Sequence, residues 1–189
     1  MRAVHGAGYP VTAWLRESEV RLEIILVRHA HAGSPLPGSG DLGRHLSDAG
    51  LEAADLIAME LLPHLPARII SSPYLRCVET IQPLATKLDR IVEIDERLGQ
   101  EAADREVQDF ANFVLAQVDS VVVASHGPTI RRLALSILDP QGIVLDDEGI
   151  SLEKASALIF EVDGESYPRI ISSASRMGYP NYEITRLFG

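Results

Sequence analysis

The sequence predicts an α/β domain on a mainly parallel sheet, with an antiparallel hairpin near its C-terminus. Three observations carry this. Apolar runs of strand length, LEIILV (22–27), ARIIS (67–71) and VVVAS (121–125), alternate with stretches of helical periodicity. Two further runs, ASALIFEVD (155–163) and PRIISS (168–173), flank Gly164 and read as a hairpin. Hydrophobic residues make up 46% of the 189 positions, enough for the core of one domain.

Residues 1–20 show no clean periodicity and read as an extension before a single domain spanning 21–189. The first strand ends at Arg28-His29. The Gly/Pro-rich stretch GSPLPGSGDLG (33–43) then breaks regular structure. Ser47 suits a helix N-cap, and Leu51, Ala54, Ala58, Leu61 and Leu62 recur at helical spacing until Pro63 closes the run. After the second strand, Ser72-Pro73 predicts a helix with serine as cap and proline in the first turn, to be kinked or ended by Pro83. IVEI (91–94) reads as a short strand. Asp104 is the expected cap of a helix whose buried face carries Val107, Phe110, Val114 and Val118. VVVAS (121–125) is the most buried strand in pattern, and it leads through His126-Gly127-Pro128 into the apolar helix TIRRLALSIL (129–138).

Composition sets limits on partners. Lys+Arg number 17 against 27 Asp+Glu, a net charge of −10. Net attraction to nucleic acid or to an anionic membrane is therefore not expected. The single cysteine, Cys77, excludes an internal disulfide framework and a cysteine-rich zinc site, and fits a reducing, cytoplasmic setting. No apolar run reaches 18 residues, and the N-terminal stretch, broken by His5, Gly8 and Pro10, does not read as a signal peptide.

The unusual residues fall at strand ends. Arg28 and His29 follow the first strand, Ser71 and Ser72 end the second with Arg76 close behind, and Ser125-His126 end the buried one. Open α/β sheets bind ligands beyond the carboxyl ends of their strands, so four groups distant in sequence are expected to converge. Two guanidinium groups and two imidazoles suit a phosphoryl anion. Each has a plainer reading: loop polarity for Arg28-His29, a surface pair with Glu79 for Arg76, a turn residue for His126. Tyr74, Phe110 and Phe113 read as packing residues, and Arg131 and Arg132 as solvated or structural. The repetition at three strand ends favours the site. The loop 33–43 lacks a Gly-Lys-Ser/Thr ending, which argues against a nucleotide P-loop.

Four blocks in order carry a resemblance: LVRHAHAG (26–33), GDLGRHLSDAG (40–50), IISSPYLRCVETIQPLA (69–85) and VVVASHGPTIRRL (121–133). Together they resemble the histidine phosphatase superfamily, with its phosphoglycerate-mutase-like fold. Ala30, where the family commonly has glycine, resembles the short phosphohistidine-phosphatase (SixA-like) branch. The resemblance implies a three-layer sandwich with helices on both faces of the sheet. It implies that His29 is the nucleophile that becomes phosphohistidine, that Arg28 and Arg76 bind phosphoryl oxygens, and that a protonated His126 completes the pocket beside Gly127. It implies a proton donor after VEIDERL (92–98): Glu101 lies nearest, Gln100 stands at the strict position, and Glu96 is a third candidate. The family's later phosphate-holding residue, often asparagine, falls near Pro35, with Ser34 as its substitute. No cofactor or metal is implied, and the partner is a phosphorylated small molecule or a phosphoprotein. Only 23 positions separate Leu98 from Val121, too few for a large cap, so an open pocket is expected.

Two other readings stay open. His29, His31 and His126 with Asp41 make a candidate zinc set, opposed by the two arginines. A non-catalytic phosphate- or phosphopeptide-binding module keeps the pocket without a placed acid.

Overall fold

The computed structural model describes residues 22–35, 37–38, 40–138, 152–162, 169–174 and 184–185. The extension 1–20 and the turn around Gly164 lie outside them. The described strands are β1 (Leu22–Arg28), β2 (Arg68–Ser71), β3 (Val92–Ile94), β4 (Val121–Ser125), β5 (Ala157–Val162), β6 (Arg169–Ala174) and β7 (Ile184–Thr185). They form one sheet in the order β3-β2-β4-β1-β5-β6-β7. β3, β2, β4 and β1 run parallel, whereas β5, β6 and β7 each run antiparallel to their predecessor in the sheet. The expected antiparallel hairpin is thus part of a broader half-sheet. It joins the parallel half along the whole length of β1, from Leu22↔Val162 to Val27↔Ala157.

Alternation along the central strands builds two cores. Ile25, Val27, Ile69, Val122 and Ala124 face α1 (Asp48–Leu61) and α2 (Leu75–Lys87). Ile24, Leu26, Ile70, Val121 and Val123 face α3 (Asp104–Leu115) and α4 (Gly127–Leu138). Successive side chains of a strand point to opposite faces, so a strand apolar at every position must be covered twice. That is the three-layer sandwich. Each fully buried Ile or Leu contributes about 1.5–3 kcal/mol of transfer free energy.

Local chemistry places the helices, with some departures from the sequence reading. Ser47 caps α1 by accepting from the Gly50 amide at 3.2 Å. Ala54, Ala58 and Leu61 are buried as expected, joined by Ala53 and Ile57, whereas Leu51 is exposed and Leu62 half-buried. Pro63 ends α1 by falling in a 3-10 turn, Leu62–His64. α2 starts at Leu75, two residues later than expected, because Ser72 turns its hydroxyl to His126 rather than capping the helix. Pro83 neither ends nor displaces α2, which continues four residues to Lys87. α3 begins at Asp104 with Ala103 at the cap, where the Ala103 amide donates to Glu106 at 2.7 Å. The helix ends at Leu115, which leaves Val118 beyond it and exposed.

Candidate phosphoryl-binding site

β1, β2 and β4 are adjacent in the sheet and parallel, so their carboxyl ends open at one edge. β1 and β4 stay in register to Arg28↔Ser125, and β2 and β4 to Ser71↔Ala124. Backbone bonds then lock the loops that follow. The His29 amide donates to the Ser125 carbonyl at 3.0 Å, and the Ser72 amide donates to the Ala124 carbonyl at 2.9 Å. The residues just past three strands are thereby forced together.

His29 and His126 meet with ring centroids 5.4 Å apart. Both are buried. The Nδ1 of His29 lies 2.7 Å from the Ala30 carbonyl oxygen, which makes Nδ1 the protonated nitrogen and leaves Nε2 with its lone pair. The Ala30 amide is itself held by the Thr80 hydroxyl at 2.9 Å. His126 has the opposite tautomer. Its Nδ1 accepts from Arg76 Nη2 at 3.3 Å, so Nε2–H faces the Ser72 hydroxyl at 3.1 Å. Cys77 Sγ lies 3.7 Å from the same nitrogen.

Burial pushes the His29 pKa from 6.5 down to about 4, with Arg76 and Arg28 adding to the effect against the bond to Ala30. Burial and then Arg76 push His126 to about 3. Both rings are neutral near pH 7. The expected protonated His126 is therefore corrected for the unliganded protein: two guanidinium groups and the lack of solvent disfavour a third cation.

Arg76 is 1% exposed. Its guanidinium lies 4.6 Å from the centre of the Tyr74 ring, which in turn meets His126 edge-on at 4.6 Å. Tyr74 is thus a member of the site; the sequence reading had it only as packing, although its place two residues before Arg76 was a usable signal. Arg76 does not pair with Glu79, which instead binds the Leu46 amide and His45. Arg28 donates from Nη1 to the Leu152 carbonyl. Gly127 lets the guanidinium pack close: a Cβ on it would stand 3.1 Å from the Arg28 guanidinium carbon. The Nε atoms of both Arg28 and Arg76 are buried without a hydrogen-bond partner among the described residues. Orphaned buried cationic donors are costly, and an anion repays that cost.

The remaining candidates separate. Gln100, not Glu101, reaches the site, accepting from Arg76 Nη2 at 3.0 Å. Glu101 and Glu96 are exposed and join none of the described hydrogen bonds of Arg76, His29 or His126. Ser34 is exposed and takes part in no described hydrogen bond. Asp41 is the carboxylate that does arrive: its Oδ2 accepts from Arg76 Nη2 at 2.9 Å, and its carbonyl accepts from Nη1 at 2.8 Å. The candidate zinc set does not assemble, because His31 is exposed and turns Nδ1 to the Ser47 hydroxyl at 2.9 Å. Among the described residues no group of three or more His, Cys, Asp or Glu is placed to hold a metal ion. Arg132 is structural, as expected, binding the Ala102 carbonyl and Asp104. A cleft of about 550 Å³, lined by Arg28, His31, Ala49, Ala53, Glu153, Lys154 and Ala155, borders the same strand end.

Residues 24–103 match the sequence pattern of the histidine phosphatase superfamily, branch 1. Among curated proteins no relative matches. The solved structures that share the fold include the protein histidine phosphatase SixA complexed with tungstate. It is 19% identical at a TM-score of 0.67, with 82% of this chain and 97% of that one covered. A mycobacterial glucosyl-3-phosphoglycerate phosphatase is 17% identical at 0.62, covering 79% and 97%. A phosphoserine phosphatase of Entamoeba histolytica is 18% identical at 0.60, covering 80% and 96%.

Proposed function

From a chain whose residues 24–103 match the histidine phosphatase superfamily pattern, we propose a metal-independent phosphatase of that superfamily that works through a phosphohistidine on His29. The observation that carries this is an unprotonated His29 Nε2 at the same strand end as two guanidinium groups whose Nε atoms are buried and have no partner among the described residues. Substrate phosphoryl oxygens take those donors. Nε2 attacks phosphorus in line, the P–O or P–N bond to the leaving group breaks, and the phosphoryl group passes to the ring. Water then attacks phosphorus, phosphate departs and Nε2 regains its lone pair. The protein's part is positioning and charge stabilisation. A bound dianion also reverses the electrostatic penalty on His126, which favours its protonation once substrate is in place.

The leaving group is where the site discriminates. Gln100 cannot donate an acidic proton, and Glu101 and Glu96 are exposed. A site without a placed acid favours leaving groups that depart easily. The imidazole of phosphohistidine takes a proton from solvent on its second ring nitrogen and then leaves as a neutral ring with a conjugate-acid pKa of ~6.5, far better than an alkoxide. We therefore read the substrate as a phosphoramidate, such as phosphohistidine on a protein, ahead of an alkyl phosphomonoester. The SixA fold likeness agrees with this reading, and the 550 Å³ cleft gives the rest of the substrate room. Residues 21–189 act as one domain in it. The lone cysteine fits a reducing cytoplasm, and no helix of the described residues is long and apolar enough to cross a membrane.

The test is a trap. Wild-type protein mixed with a small phosphoramidate is expected to carry acid-labile phosphate and to turn over, and His29→Ala to do neither. Turnover by His29→Ala at the wild-type rate overturns the nucleophile. The binding-module reading, favoured by Gln100 alone, predicts that wild type binds phosphoramidate yet never acquires labelled phosphate.

A further inference from the structure

We infer that Asp41 is a working part of the phosphoryl site: its carboxylate holds the Arg76 donors in the free protein and must be displaced by the substrate's phosphoryl group. The inference rests on the phosphatase reading above and assigns a competing anion to the same pocket.

The hydrogen-bond inventory requires it. The two terminal nitrogens of Arg76 carry four hydrogens. Nη1 serves the Asp41 carbonyl at 2.8 Å. Nη2 faces three acceptors at once: Asp41 Oδ2 at 2.9 Å, Gln100 at 3.0 Å and His126 Nδ1 at 3.3 Å. Only Nε is left without a partner among the described residues. A phosphoryl group approaching Arg76 recruits one Nη donor along with Nε if it binds in the paired geometry that guanidinium offers. The Asp41 carboxylate is the group in the way. It is also the one charged acceptor of the three, so it opposes a dianion by repulsion as well as by occupancy.

Asp41 is built to leave. Its side chain is 48% exposed while that of Arg76 is 1% exposed, so displacement moves the carboxylate toward water and leaves the guanidinium in place. A second cation waits: Arg44 Nη1 lies 3.2 Å from Asp41 Oδ1, the oxygen that does not touch Arg76. Gly40, at φ +62°, immediately precedes Asp41, and no Cβ hinders the turn there. Beyond it the loop is anchored, with the Leu75 amide donating to the Leu42 carbonyl at 2.9 Å. The Asp41 side chain thus exchanges between Arg76 and Arg44 while its own carbonyl stays on Arg76. The same exchange run backwards expels inorganic phosphate, the product.

Asp41→Asn removes the charge but keeps an acceptor of the same shape. Calorimetric titration of the full chain with tungstate, and separately with inorganic phosphate, reads the effect. Expected is a dissociation constant about tenfold lower for Asp41→Asn, with KM for an aryl phosphate falling in parallel and kcat not rising. Asp41→Glu, which restores the carboxylate, should return affinity toward wild type. Unchanged or weaker tungstate binding by Asp41→Asn, where wild type binds and Arg28→Ala does not, overturns this inference alone: Asp41 would then only anchor Arg76. Failure of tungstate to bind any form overturns it together with the phosphoryl-site reading beneath it.

Discussion

At the scale of single residues, the site is governed by what burial does to two imidazoles. His29, the proposed nucleophile, needs an unprotonated Nε2 to attack. Its pKa lies at about 4 rather than 6.5, so the reactive form still dominates at pH 5. The acid limb of kcat/KM, which reports the free enzyme, is therefore expected near pH 4. A rate profile with an aryl phosphate checks this; a limb near 6.5 would mean that the ring is not desolvated as the structure has it. Arg28, His29, Arg76 and His126 were legible in the sequence because each follows a strand closely, and parallel neighbours bring such positions together. Asp41, Tyr74 and Gln100 were not legible as a group. Their places depend on how a Gly/Pro-rich loop folds back and on a 3-10 turn, Glu96–Leu98, and neither has a hydrophobic period to read.

At the scale of elements, α1 holds the loop that follows His29 through a contact that only glycine permits. Gly50 is buried in the first turn of α1, and a Cβ there would stand 2.1 Å from the His31 carbonyl oxygen. Ser47 reaches the same carbonyl at 3.1 Å, and Ala32 bridges to Leu46 just before it. Gly50→Ala must push α1 away from the segment that follows His29. Expected is a loss of about 2 kcal/mol or more in urea unfolding, with activity falling further than the folded fraction. The strands and helix centres followed the sequence closely, because burial enforces their periodicity. The ends of α1 followed it too, at Ser47 and Pro63, but those of α2 did not: Ser72 had a better partner in His126 than in its own helix, and Pro83 sits in α2 without ending it. Capping signals are local, and a tertiary hydrogen bond outcompetes them.

At the scale of the whole molecule, the buried histidines make the fold acid-sensitive. In the unfolded chain each titrates at ~6.5; folded, they titrate at about 4 and about 3. Between these values the unfolded state binds more protons, so stability is full above pH 6.5 and falls as pH drops toward 4, by roughly 1.4 kcal/mol per pH unit for each ring. Urea unfolding at pH 7 and pH 5 checks this. His126→Gln is expected to lose about 2 kcal/mol less than wild type between the two.

The sheet also divides the labour between its halves. Every side chain placed in the site, from Arg28 to His126, is contributed by the chain up to the start of α4. The described residues after it hold Arg28 and His29 by main chain: the Leu152 carbonyl to Arg28, the Ala155 amide to the His29 carbonyl at 3.3 Å, and the Ser156 carbonyl to the Arg28 amide at 2.9 Å, while Glu153 and Lys154 line the adjoining cleft. Peptide groups are the same whatever side chain they carry. At Leu152, Ala155 and Ser156 the site therefore asks for a backbone position and not for a particular side chain.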